Sequence, residues 1–84
     1  MKNIMINQNY PIEKQVVEIK DIIAMSPPNC VTKFAFDNFR YTIEHIRVTE
    51  WTLVIENIET DELELYEQHI STFKLAELLN QYML

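Results

Sequence analysis

The chain contains no glycine in 84 residues, where ordinary usage near 7% predicts about six. Glycine lets a backbone approach a ligand closely or take positive φ without a Cβ clash. Its absence removes the Walker phosphate loop, the dinucleotide-binding fingerprint and the nucleophile elbow, each of which needs glycine at fixed places. A turn that requires the left-handed region must then be built on Asn or Asp, which tolerate it best among the remaining residues.

At 84 residues the chain can enclose one hydrophobic core, so residues 1–84 are read as a single domain. An apolar share of 48% is that of a globular chain and not of a disordered one. The single cysteine, Cys30, cannot close an internal disulfide, and small secreted domains usually need several. Met1-Lys2-Asn3-Ile4 lacks the apolar region of a signal peptide, and no apolar run reaches the roughly 18 to 20 residues that span a bilayer. The expectation is a soluble, cytoplasmic protein.

Asn3-Ile4-Met5-Ile6-Asn7 reads as a short strand bounded by asparagines. Asn9 can cap a helix, Pro11 suits its first turn, and Ile12, Val16, Ile19 and Ile23 recur at helical spacing, with Val17 and Ile22 widening the stripe. This spacing predicts a helix over 11–25, ended by Ser26-Pro27-Pro28-Asn29. From Cys30 the period becomes two: Thr32, Phe34 and Phe36, then Phe39, Tyr41 and Ile43 across Asp37-Asn38, a hairpin turn without glycine. Pairing through that turn sets Phe36 opposite Phe39 and Phe34 opposite Tyr41, with Lys33, Ala35 and Arg40 on the other side. Beyond Ile43 the apolar parity passes to Ile46 and Val48, which predicts a β-bulge near Glu44-His45. After a turn near Thr49-Glu50, Trp51, Leu53 and Ile55 alternate inward along a strand to Asn57. Residues 58–62 then reverse the chain into a strand over 63–69. Ser71 can cap a final helix whose stripe is Leu75, Leu78, Leu79 and Tyr82, with Phe73 and Met83 nearby.

The fold class read from this order is α+β, (β)α-ββββ-α: a four-stranded antiparallel meander packed against an N-terminal helix, with a short C-terminal helix. In element order alone it resembles the cystatin-like arrangement. The glycine-containing inhibitory loop of that family has no counterpart, and Gln15-Val16-Val17 falls in the predicted helix, so the resemblance implies no protease inhibition.

Catalytic chemistry finds little to work with. The imidazole and thiol groups are His45, His69 and Cys30, with no pair at metal-ligand spacing. Cys30 reads as a small hydrophobe at a strand start, activated only if the fold brings a histidine to it. Ser26 precedes two prolines and Ser71 is a cap. Paired carboxylates would need a cleft to raise a pKa, and a core of this size leaves little room for one. The Phe34, Phe36, Phe39, Tyr41 face could serve as a base-stacking platform. A net charge of −6 disfavours that use and direct nucleic-acid or membrane binding, and an amphipathic helix needs such a face to cover. We therefore expect a protein that is not an enzyme, with no cofactor and no metal.

The charge is lopsided. Residues 1–47 carry six bases and five acids, whereas residues 48–84 carry eight acids against Lys74. Glu50, Glu56, Glu59, Asp61, Glu62, Glu64 and Glu67 occur without an intervening base and are the candidate partner-binding residues. Glu62 and Glu64, two apart along an extended segment, would share a face about 6.7 Å apart. Such a run either solvates a surface or complements a basic patch on a target and speeds their encounter. Trp51-Thr52-Leu53-Val54-Ile55 followed by acids resembles a stretch of the phage uracil-DNA glycosylase inhibitor, and this implies the class of small acidic DNA mimics. The expected function is a protein-binding inhibitor or immunity/anti-defence protein of a bacterial or phage system, with a basic-surfaced protein target. The alternative is an assembly module that self-associates, as a homodimer for instance, through a sheet edge or through Leu75, Leu79 and Tyr82 of the last helix.

Overall fold

The computed structural model describes Lys2, Asn3 and residues 9–83. The elements are β1 (Lys2–Asn3), α1 (Ile12–Ala24), β2 (Cys30–Phe36), β3 (Phe39–Arg47), β4 (Glu50–Asn57), β5 (Leu63–Ile70) and α2 (Thr72–Met83). One five-stranded sheet runs in the order β1-β2-β3-β4-β5. β2 to β5 form an antiparallel meander, and β1 adds in parallel to β2. This is the α+β arrangement the sequence predicts. Beyond Asn3, the strand expected over 3–7 lies outside the described residues.

The aromatic hairpin forms in the expected register, with Phe36 opposite Phe39 and Phe34 opposite Tyr41. Phe34 and Tyr41 stack with centroids 4.9 Å apart and planes 7° from parallel. Val16, Ile19 and Ile23 of α1 join these rings, together with Trp51, Leu53 and Ile55 of β4, in one core. Leu75, Leu78, Leu79 and Met83 of α2 enter the same core. Both helices therefore cover one side of the sheet. Each fully buried side chain of Leu or Ile size contributes about 1.5–3 kcal/mol relative to exposure.

Among the described residues, four positions take positive φ in place of the missing glycines: Asn29 (66°), Asp37 (57°), Asp61 (58°) and His69 (56°). Three are the Asn and Asp residues that tolerate this region best. In the Asp37-Asn38 turn only the first residue is left-handed.

Three local expectations are corrected. Asn9 is not the helix cap: Pro11 occupies that position with an extended ψ of 152°, and its carbonyl accepts from the amides of Lys14 and Gln15, each at 3.0 Å. Ile12 and Val17, read as part of the inward stripe, are exposed, whereas Gln15 is buried and its Nε2 donates to the Tyr10 carbonyl at 2.8 Å. The bulge expected near Glu44-His45 is present between His45 and Arg47, and because it lies past His45 that residue continues the inward alternation and is buried in place of Ile46. Val48 is left exposed in the following turn. The register of β5 slips twice, at Glu64 and at Gln68-His69; left-handed His69 serves the second slip.

Ser71 caps α2 as expected: its Oγ accepts from the Lys74 amide at 3.1 Å and its carbonyl from the Leu75 amide at 2.9 Å. Thr72, beside it, accepts from Trp51 Nε1 at 2.9 Å and ties the start of α2 to β4.

Candidate functional site

The seven carboxylates singled out from the sequence do not form one row. Glu56 sits on β4 facing away from the helices, because inward Ile55 precedes it. Glu59, Asp61 and Glu62 are exposed in the β4–β5 turn. Glu64 is exposed at the first slip of β5, and Glu62 precedes that strand altogether, so the two do not share a strand face. Glu67 lies opposite inward Leu53, on the helix-covered side at the sheet edge. Glu50, at the far end of β4, pairs with His69 Nδ1.

What the fold does bring together is a tip. Asn57 organises it: its Oδ1 accepts from the amides of Glu59 (2.9 Å) and Thr60 (3.2 Å), and its carbonyl from the amide of Asp61 (2.8 Å). The Asn57 amide in turn donates to the Glu62 carbonyl at 2.8 Å. The Ile58 amide donates to the Asn38 carbonyl at 3.1 Å, which sets this turn beside the Asp37-Asn38 turn. The acids here are therefore held on a hydrogen-bonded loop, with Asp37 adjoining.

Arg40 is the local counter-charge. Its Nη2 donates to Asp61 Oδ1 at 3.0 Å and its Nε lies 3.5 Å from Glu56 Oε1. The hydrogen bond to Asp61, then the charge of Glu56, raise its pKa further above the ordinary guanidinium value. Exposed pairs of this kind are worth little to stability. One guanidinium meets Glu56 and Asp61, while Glu59, Glu62 and Glu64 have no ion pair among the described residues.

Beside the tip lies an apolar patch that sequence reasoning missed. Leu63 and Leu65 look like an alternating pair that should point the same way. The slip at Glu64 instead sets Leu65 opposite inward Ile55 and Leu63 opposite outward Glu56, so Leu63 is 59% exposed. Tyr66 pairs with Val54 on the same outer face and is 52% exposed. Ile58, at the turn, is also exposed.

The remaining candidates are accounted for by the fold. Cys30, a free thiol, lies opposite His45 on the hairpin, the approach that could have activated it. The His45 ring is engaged elsewhere, with Nδ1 at 2.8 Å from the Ser26 carbonyl and Nε2 at 3.3 Å from the Val48 carbonyl. Its ring stacks on Trp51 with centroids 3.7 Å apart. No hydrogen bond among the described residues joins the Cys30 thiol to His45. Among the described residues no group of three His, Cys, Asp or Glu side chains is placed to hold a metal ion. No helix among them is long and apolar enough to cross a membrane. Of the Leu75-Leu79-Tyr82 stripe on α2, Leu75 and Leu79 are buried in the core and Tyr82 packs edge-on to Phe39 at 6.2 Å.

No family model, curated protein or solved structure matches this chain. The arrangement sets carboxylates held on a hydrogen-bonded turn beside the exposed Leu63 and Tyr66, on a sheet face that no element covers among the described residues.

Proposed function

We propose that the domain is a non-catalytic protein-binding module, a small acidic inhibitor of the immunity or anti-defence kind. It docks on a basic surface of an enzyme or nucleic-acid-binding protein in the reducing cytoplasm. The observation that carries this reading is the juxtaposition of Glu59, Asp61 and Glu62, on a hydrogen-bonded turn, with Leu63 and Tyr66. Stable interfaces combine aromatic or apolar anchors with a polar rim, and charge complementarity sets encounter rate and partner choice. A purely solvating acidic face would need no adjacent Leu and Tyr.

In the competing reading, self-association, the outer edge of β5 pairs with a second copy. Its two register slips and its glutamates are features that keep sheet edges from pairing. The test is immobilised wild-type domain against lysate, run beside the triple reversal Glu59→Lys, Asp61→Lys, Glu62→Lys and beside Leu63→Ser/Tyr66→Ser. The reading expects one basic protein, retained by wild type, lost in both variants and released by salt. Retention indifferent to both sets of substitutions overturns it.

A further inference from the structure

On the covered side of the sheet, α1 and α2 do not close over all of the apolar surface beneath them. A cleft of about 160 Å³ separates them, with Trp51, Ile23, Leu75 and Leu79 as its walls and floor. Ala24 and Ala76, both exposed, form its rim. A small core gains most from complete filling, so an apolar cleft left open between the helices is a cost that a larger side chain at either alanine would reduce.

The cleft also has a charged end. Lys20 lines it, half-buried, and its Nζ donates across the seam to Asn80 Oδ1, a neutral amide. Lys20 has no carboxylate partner among the described residues, in a chain whose acids outnumber its bases 13 to 7. An ammonium at the end of an apolar cleft, bonded to a neutral amide and to no carboxylate, is free to take an anionic partner. The indole N–H of Trp51, also in the lining, is already bonded to Thr72 Oγ1. The polar end of any occupant is thereby directed to Lys20.

We propose that this inter-helix cleft is a binding site for a small organic carboxylate with a single ring-sized apolar body. The body lies against Trp51, Leu75 and Leu79, and the carboxylate pairs with Lys20. The size follows from the volume, since an apolar cavity of about 150 Å³ admits one benzene ring. The site is on the opposite side of the sheet from Leu63 and Tyr66, so it stands or falls independently of the docking surface.

The test is a titration of the full chain followed by amide and indole N–H chemical shifts. Phenylacetate is the probe; phenethylamine has the same body with the opposite charge, and acetate has the charge without the body. Phenylacetate is expected to give saturable shifts at the Trp51 indole and at Ala24 and Ala76, with Kd below about 1 mM. Acetate should give none there. Phenethylamine on wild type, and phenylacetate on Lys20→Met, should bind at least about fivefold more weakly. Ala76→Leu, at an exposed rim position, should abolish binding. No saturable shift at Trp51 up to about 10 mM phenylacetate overturns the site, and equal affinity for the acid and the amine overturns its anion preference.

Discussion

Replacing Tyr41 by Phe removes one hydroxyl from the centre of the sheet and is expected to stabilise the protein. Tyr41 is 0% exposed, and its hydroxyl has no hydrogen-bond partner among the described residues. Holding an unbonded hydroxyl out of water costs about 1–3 kcal/mol, whereas the stacking on Phe34 at 4.9 Å belongs to the ring and survives the substitution. With the small cavity left behind subtracted, Tyr41→Phe should gain about 1 kcal/mol at pH 7, a rise in Tm of about 4–8 °C for a domain of this size. Alkaline pH provides a second arm. Burial, followed by the charges of Asp37 and Tyr82, pushes the Tyr41 hydroxyl from its ordinary 10.0 up to about 12. The folded pKa is the higher one, so the unfolded chain loses this proton first. The contribution is intact below pH 10 and is lost as pH rises toward 12. At about pH 11 the wild type should have lost about 1 kcal/mol that Tyr41→Phe never had to lose, widening the gap between them to about 2 kcal/mol. Urea denaturation of both proteins in parallel, read by Trp51 fluorescence, cancels the titration of the groups they share. A Tyr41→Phe variant less stable than wild type by more than about 1 kcal/mol at pH 7, or a gap that does not change with pH, would refute the reasoning.

Leu53→Ala, at a side chain with 0% exposure, should cost about 3 kcal/mol in urea denaturation, while Leu63→Ser should stay within about 0.5 kcal/mol of wild type. The contrast checks that Leu63 is turned out of the core by the slip at Glu64. Asn29→Gly and Asp37→Gly, at φ of 66° and 57°, should each change stability by only a few tenths of a kcal/mol, because Asn and Asp tolerate the left-handed region. Alanine at either place should cost about 1 kcal/mol by thermal melting. Arg40→Gln should leave urea denaturation nearly unchanged, as befits an exposed pair, and steepen the salt dependence of any basic partner's association rate, as Glu56 and Asp61 lose their local counter-charge. Light scattering at micromolar concentration should find a monomer; a dimer abolished by substitutions along β5 would favour the self-association reading instead.

The sheet was readable because its signal is local. Alternation along Thr32–Phe36 and Phe39–Ile43 around Asp37-Asn38 leaves one register that buries the rings on a common side, and that register is found. The α2 cap was readable because Ser71 stands immediately before a helical stripe. The positions of the acids were not, since they depend on where strands slip. Leu63-Glu64-Leu65 shows unbroken alternation, and nothing in it announces that Glu64 is the residue at which the register slips. His69 gave no hint of a left-handed backbone, and His45 reads as polar although two carbonyls and the Trp51 ring enclose it. The cleft beside Lys20 depends on the spacing between two helices that meet only through tertiary packing. No pattern within either helix encodes that distance.

Among the described residues both helices lie on one side of the sheet and no element covers the other side of β2 to β5, giving two layers where many domains have three. A partner seated over Leu63 and Tyr66 would act as the missing layer, and its affinity would then register as resistance to heat: a ligand at about a hundred times its Kd adds about 2.7 kcal/mol to the folded state. Melting curves taken in candidate mixtures can thus reveal a companion before any activity for it is known.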